Sequence, residues 1–322
     1  MKFRVGKLLL AVAGVLLGGA VFAQAYPSKP VTVIVGYPPG GSTDLSTRVI
    51  AEKLTQMLGQ PFVVVNRPGA AGNIGTAQAA RSAPDGYTLV HGYVGTIAIH
   101  PALYGAKLPY QPAKELTPVA PIASVPTFLV VPPSLGVRSV AELIAMAKAK
   151  PGQVTYGTAG SGSTQHLFAE LFRASAGIDV RPIPFGGSGP ANVALLGSHI
   201  NFMFDAGQVV QQVAAGQLVG LATTAARRLP NLPDLPAVSE TFPGFEATSW
   251  HGIFAPAGTP GPIIDLLNAK ITEALAQPDT QKRLGAAQMS VMTMNPLAFA
   301  SFIREETTKW ASVVKATGIQ AD

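Results

Sequence analysis

The stretch Tyr37-Pro38-Pro39-Gly40-Gly41-Ser42-Thr43-Asp44 sets two adjacent glycines and two hydroxyl side chains just ahead of a helical pattern. Glycine lets a ligand approach the main chain closely, and the free amides and dipole of a helix N-terminus favour an anion. A second stretch, Thr158–Thr164, has the same construction, with Gly160 and Gly162 as turn residues and Ser161, Ser163 and Thr164 as hydroxyl donors. Together the two suit a carboxylate held without an arginine clamp. Gly and Ser also fill ordinary strand-to-helix turns for geometry and capping, so the residues alone leave both readings open.

Other candidates divide the same way. Asp44, opening a helix beside a glycine turn, reads better as a first-turn carboxylate holding loop amides than as a ligand contact. Asp205 ends the apolar run from Ile200 to Phe204 and could accept from a ligand amine or hold a loop. Tyr37 and Tyr93 follow two different strands, where aromatic rings either wall in an organic ligand or pack beneath loops. Neither glycine turn is a nucleotide fingerprint: Gln165 stands where the third glycine belongs, and no G-x-x-x-x-G-K-[ST] occurs. Around Ser188 the run Gly186-Gly187-Ser188-Gly189-Pro190 fails the hydrolase elbow at its last place. The histidines, at 91, 100, 166, 199 and 251, show no H-E-x-x-H and no pair at ligand spacing, which disfavours a metal site. His166, in a first helical turn, suits a neutral hydrogen-bonding role.

The elements that must position these residues alternate short β-branched runs with helical periodicity, the pattern of an α/β fold with mostly parallel sheets. Strand 31–35, a turn at 36–42 and a helix from about Asp44 to Leu58 form the first unit, followed by strand 62–65, a short helix through Ala80 and strand 87–91. Pro-rich connections then lead to strand 128–131. Ser139 and Glu142 form a capping box for a helix over about 140–150, ended by Pro151-Gly152. Strand 154–157, Thr158–Thr164 and a helix bearing Leu167, Phe168, Leu171 and Phe172 repeat the first unit. A helix near 191–196, strands 200–204, 218–223 and 252–256, a helix over 262–276 and a last helix capped by Asn295-Pro296 complete the chain. Two such units far apart predict two α/β lobes with the chain crossing twice, and ligands of such sheets sit at the carboxyl ends of the strands.

Composition bounds the classes. The 322 residues are 48% hydrophobic and 12% charged, with 34 Gly and 28 Pro, which can bury a core and argues against disorder, coiled coil and nucleic-acid binding. The absence of Cys removes disulfides, thiolate metal sites and cysteine nucleophiles. Of the net charge of +6, Lys2, Arg4 and Lys7 supply three, leaving +3. They open a segment that reads as a secretory signal: basic 1–7, apolar from Leu8 to about Phe22, then Ala23-Gln24-Ala25, with cleavage expected after Ala25.

Beyond the glycine turns, Tyr26-Pro-x-x-Pro30, Asn66-Arg67-Pro68-Gly69-Ala70-x-Gly72-x-x-Gly75, Pro84-Asp85-Gly86-Tyr87-Thr88-Leu89, Gly160-x-Gly162-Ser163-x-x-His166, Arg227-Arg228-Leu229-Pro230, Leu232-Pro233-Asp234-Leu235-Pro236 and Trp250-x-Gly252-Ile253-Phe254-Ala255-Pro256-Ala257-Gly258-Thr259-Pro260 span the mature chain. With these motifs the chain resembles the Bug-type receptors, the periplasmic solute-binding proteins of tripartite tricarboxylate (TctC) transporters. The resemblance implies a two-lobed periplasmic-binding-protein fold of type II, each lobe a mixed sheet flanked by helices. Residues 26–126 and 250–322 would form one lobe and 127–249 the other, with Phe128–Val131 and Gly252–Pro256 at the crossings. It implies a monomer without cofactor that closes on a small mono- or dicarboxylate and serves inner-membrane permease subunits or a sensor kinase. The ligand-binding set expected is Tyr37, Gly40, Gly41, Thr43, Asp44, Tyr93, Thr96, Ser161, Gly162, Ser163, Thr164, Phe185, Gly187 and Asp205. Tyr93, His100 and His199 depart from the family's usual residues, and the first could reshape the pocket. A periplasmic enzyme acting on carboxylates is the competing reading, but no nucleophile and base pair, metal cluster or cofactor motif supports it.

Overall fold

The computed structural model describes residues 26–206 and 208–319; the expected cleavage site after Ala25 lies outside them. Strands β1 (Val31–Val35), β2 (Phe62–Asn66), β3 (Thr88–Tyr93), β4 (Leu116–Val125), β10 (Ser249–Pro256) and β11 (Ser290–Val291) form a first sheet in the order β11-β4-β10-β3-β1-β2. Strands β5 (Phe128–Val131), β6 (Val154–Thr158), β7 (Val180–Pro184), β8 (Phe202–Asp205) and β9 (Val219–Thr223) form a second in the order β7-β6-β8-β5-β9. The helices are α1 (Ser42–Leu58), α2 (Asn73–Ala80), α3 (His100–Tyr104), α4 (Pro112–Glu115), α5 (Val140–Ala149), α6 (Thr164–Ala176), α7 (Ser188–Leu196), α8 (Gln208–Ala214), α9 (Gly261–Leu275), α10 (Pro278–Ala286) and α11 (Pro296–Thr317).

Both sheets are mixed and flanked by helices, as the family resemblance implies, and not mostly parallel, as the alternation of strand and helix patterns alone suggests. β1–β2, β1–β3, β6–β7 and β6–β8 run parallel, whereas β10 and β5 lie antiparallel to their neighbours. β5 and β10, the strands that follow the two passages between sheets, run against the direction of the strand–turn–helix units, whereas β4 and β9, which lead into the passages, run with it.

Strand β4 was expected to be a proline-rich connection. A proline cannot donate to a ladder, and here two bulges accommodate Pro118 and Pro121. The pairing with β10 slips between His251 and Gly252, and again between Ile253 and Phe254, leaving Ile122 and Val119 as the extra residues. Their carbonyls find other donors: Met292 N reaches Ile122 O at 3.0 Å, and Asn268 Nδ2 reaches Val119 O at 2.8 Å. At Gly252 any side chain would collide with the Phe299 ring, 2.6 Å from where a Cβ would stand. The capping box is half formed: Ser139 Oγ takes the Glu142 N–H at 3.2 Å, but the Glu142 carboxylate takes Arg138 N–H instead of Ser139's.

The chain passes between sheets at Pro126–Thr127 and again after Thr224, so Phe128–Val131 and Gly252–Pro256 lie within the sheets and not at the crossings. Phe128 already pairs with Asp205 and Thr223, and Gly252 with Gly92. The two passages are tied side by side: Thr224 N donates to Thr127 O at 2.8 Å, the Thr224 hydroxyl to Ala247 O at 2.7 Å, and Ala247 N to Thr224 O at 3.1 Å.

Helix α11 joins both halves. It packs on β4, α3 and α6, and Trp310 stacks on Phe168 of α6 at 5.5 Å between centroids. Glu306, buried in the same helix, accepts from Trp250 Nε1 at 3.0 Å and Trp310 Nε1 at 3.2 Å. An unmade hydrogen bond from a buried donor costs about 1–3 kcal/mol. Thermal unfolding should therefore place Glu306→Leu several degrees below the wild type, with Glu306→Gln, which keeps an acceptor oxygen, between them. Equal melting temperatures for Glu306→Leu and the wild type would show that the indoles reach other acceptors.

Candidate functional site

A cavity of about 290 Å³ lies where the two sheets face each other, at the carboxyl ends of β1, β3 and β8. Three helices begin on its wall. Gly41, Ser42 and Thr43 come from the start of α1, Thr164 and Gln165 from α6, and Ser188 and Gly189 from α7. First-turn N–H groups have no acceptor inside their own helix, and the dipole adds partial positive charge there. Among the described residues no Lys or Arg lines the cavity.

The helix starts are held by side chains behind the cavity at α1 and α6 and by Asp205 on its wall between α6 and α7. At α1, Gly40 adopts φ +92°, a conformation L side chains rarely take, and its N–H donates to Asp44 Oδ2 at 3.1 Å. Arg48 and Asn66 also donate to Asp44, and Asn66 Nδ2 reaches Tyr37 O at 2.9 Å. Burial pushes the Asp44 carboxyl up, but the hydrogen bonds from Arg48, Asn66 and Gly40 outweigh it and hold it below its ordinary value. At α6, Ser163 Oγ accepts the His166 N–H at 3.4 Å while His166 Nδ1 accepts the Gly162 N–H at 3.1 Å. Accepting at Nδ1 requires a neutral ring, the role expected of His166. Between α6 and α7, Asp205 Oδ1 accepts from Ala206 N at 2.9 Å, Ser188 Oγ at 3.2 Å and Gln165 Nε2 at 3.5 Å.

Of the expected set, Tyr37, Gly40, Gly41, Thr43, Tyr93, Thr164, Gly187 and Asp205 stand on the cavity wall. Asp44, Thr96, Ser161, Gly162, Ser163 and Phe185 are not part of it. Asp44 braces the turn from behind. Thr96 turns its hydroxyl back to the Tyr93 main chain, Ser163 caps α6, and Phe185 packs on the core of the second sheet. Ser161 and Gly162 face α3, where Tyr104 Oη donates to Ser161 O at 3.2 Å and His100 Nε2 meets Gly162 O at 2.9 Å. Sequence reasoning missed Gln165, Ser188, Ser249, His251 and Met289 on the wall. A signal existed for Ser188: Gly186-Gly187 ahead of it repeats the glycine turn before a helix.

Tyr37 and Tyr93 meet edge to face, with their hydroxyls 2.5 Å apart, and burial pushes both phenols up so that they stay neutral. His100 lies between Asn73, 2.6 Å from Nδ1, and Gly162 O. Tyr110 has one proton and Thr96 O lies 2.9 Å away to take it. The network closes when the Asn73 amide turns its NH2 toward both Tyr110 Oη and His100 Nδ1, leaving the His100 proton on Nε2 for Gly162 O.

The model of the tripartite tricarboxylate transporter family receptor (TctC) matches residues 46–319. The chain belongs to that family. It is 39% identical over 318 residues to protein BugT of Bordetella pertussis, covering 96% of this chain and 97% of that one. Among solved structures, R. palustris Rpa4515 with adipate superposes with a TM-score of 0.88 at 35% identity, over 92% of this chain and 99% of that one. MatC of Rhodopseudomonas palustris with bound malate follows at 0.85 and 33%, over 90% and 100%. Periplasmic binding protein BugD superposes with a TM-score of 0.86 at 32% identity, over 92% of this chain and 100% of that one, and the TctC receptor has the two-lobed fold of periplasmic binding proteins. Among the described residues no helix is long and apolar enough to cross a membrane, and no group of His, Cys, Asp and Glu could hold a metal ion.

Three imidazoles of this receptor are buried in neutral form. Burial holds His91 down to about 3, against weaker upward pulls from its own main chain and Asp44. Burial holds His100 down to about 4, offset in part by Gly162 O. His251 is depressed well below its ordinary value by burial and then by His91. Because these folded values lie below the unfolded one, the unfolded chain takes up the protons first as the pH falls. The stabilisation is complete above about pH 6.5 and is lost below it, at about 1.4 kcal/mol per pH unit for each histidine. Urea midpoints should therefore hold steady above about pH 7 and drop steeply between about pH 6.5 and about pH 5, and His91→Leu should remove about a third of that slope. A flat profile over this range would mean that the imidazoles charge freely in the folded protein.

Proposed function

We propose that this TctC receptor is an exported, non-enzymatic binding protein that captures a small organic carboxylate in its cavity and delivers it to the membrane permease of a tripartite tricarboxylate-type transporter. The observation that carries the reading is the convergence of three helix N-termini on one cavity lined by hydroxyls and amides, with no cation among the described wall residues. Such a site recognises an anion by directed neutral donors. The carboxylates bound by Rpa4515 and MatC support the same ligand class. The basic and apolar N-terminal segment ending at Ala25 supports export to the periplasm. In this reading residues 26–126 and 250–322 act as one lobe and 127–249 as the other, closing as a monomer about the tied passages at Thr127 and Thr224. The wall residues Gly41, Thr43, Thr164 and Gly187 contact the ligand.

Calorimetric titration against mono- and dicarboxylates, neutral sugars and organic cations tests this. Binding confined to carboxylates is expected; heat from sugars or cations alone would refute the anion site. Gly41 has φ −79° and nothing closer than 4.0 Å to where a Cβ would stand, so Gly41→Val folds without strain while covering the α1 amides. We expect it to weaken carboxylate binding about tenfold or more, the loss of one or two hydrogen bonds of about 1–3 kcal/mol each. Unaltered affinity in a folded Gly41→Val protein would move the site away from α1.

A further inference from the structure

His251 is the imidazole on the cavity wall among the described residues, 2% exposed and directly opposite Tyr93 across β10 and β3. Its ring meets that of His91 edge to face at 4.7 Å between centroids, and its Nδ1 lies 3.0 Å from Ser46 Oγ in α1. With Nδ1 engaged, Nε2 is the atom His251 can offer a ligand. Ser46 settles which way that atom acts. Its hydroxyl has two acceptors in reach, His251 Nδ1 at 3.0 Å and Thr43 O at 3.3 Å, and Thr43 O already takes the Thr47 hydroxyl at 2.7 Å. The shorter and less contested bond runs from Ser46 to Nδ1, which puts the ring proton on Nε2. Burial and the neighbouring His91 keep this ring uncharged near neutral pH.

The surroundings select against a second charge. Leu45, Val125, Ala287 and Met289 supply apolar wall, and the carboxylate on the wall is that of Asp205. A second anionic group on the ligand would share the cavity with the carboxylate of Asp205. An uncharged oxygen would find a donor in His251.

We propose that His251 is the specificity-determining residue of the cavity, and that it selects a monocarboxylate bearing a hydroxyl or other uncharged oxygen over both the plain acid and the dicarboxylate of the same length. The inference rests on the carboxylate reading above. A site built to hydrogen-bond a hydroxyl rejects the analogue lacking it, because its own polar group is then left unpaired.

Calorimetric titration with butyrate, succinate, 4-aminobutyrate and 2-, 3- and 4-hydroxybutyrate, and with the six-carbon homologues, reads the selection directly. At least one hydroxy acid should bind about tenfold tighter than its plain and dicarboxylic counterparts. His251→Phe should bring that hydroxy acid to within about twofold of the plain acid, and a cooperative thermal unfolding transition shows the variant to be folded. His251→Gln, which keeps a side-chain N–H, should restore part of the preference. Tightest binding of the dicarboxylate, or of the amino acid through Asp205, would overturn the proposal, as would a hydroxyl preference that survives in His251→Phe. Equal binding of plain and hydroxy acids would remove the role of His251 alone. Failure of every carboxylate to bind would remove the anion site as well.

Discussion

The first turn of an α-helix presents N–H groups that its own backbone cannot satisfy, and the site of this receptor is built on that deficit. α1, α6 and α7 all begin on the same cavity. At α1 and α6 some donors are satisfied locally, Gly40 by Asp44 and Gly162 by His166. Those that follow in the helix stand at the wall. The side chains that do this holding lie behind the cavity, which is why Asp44 and Ser163, both conspicuous in sequence, are not on its surface. A cationic clamp would attract any anion over a distance. Fixed amides reward only an acceptor that arrives in the right place, so rigidity of the helix starts is what the surrounding network must supply.

That network joins two sheets whose connection is narrow. Thr127, Thr224 and Ala247 bind the passages to one another, so a rotation of one sheet against the other must turn through this knot. α11 crosses from the first sheet to α6, and its Glu306 fixes Trp250 at the start of β10 and Trp310 against Phe168. A stacked pair of rings can slide with little loss of contact area, whereas the paired indole bonds to one buried carboxylate cannot. The helix is therefore anchored firmly to the first sheet and held by a compliant contact to the second.

The limits of what the sequence discloses follow from these interactions. The strand–turn–helix units were legible because period, glycine turn and cap all lie within one short segment, as in β1 and α1 or β6 and α6. β4 was hidden by Pro118 and Pro121, whose bulges are tolerated only because Met292 and Asn268, far along the chain, take the stranded carbonyls. β7, with Pro182 and Pro184, survives as an edge strand of the second sheet, where one side needs no donors. α10 went unread because it is largely polar, with only Thr280 and Leu284 buried. At the site, the two glycine turns were readable, but the third helix start depended on finding β7 first. His251 depended on the pairing of β10 with β3, a register that no local pattern encodes.

Buried histidines bring the same logic to its limit. His91, His100 and His251 carry a standing cost, since each is kept from the charge it would hold in water. For His100 the return is a directed bond between α3 and the Gly162 loop, which sets the position of the α6 turn relative to the first sheet. For His251 it is an uncharged donor in a cavity whose field already favours anions. A protonated ring there would deepen that field and bind carboxylates with less regard to shape. His91, whose Nε2 is sealed without a partner, lies against His251 and helps to disfavour its charge. On the proposed reading the pair converts depth of burial into selectivity, with ligands distinguished by the placement of neutral donors.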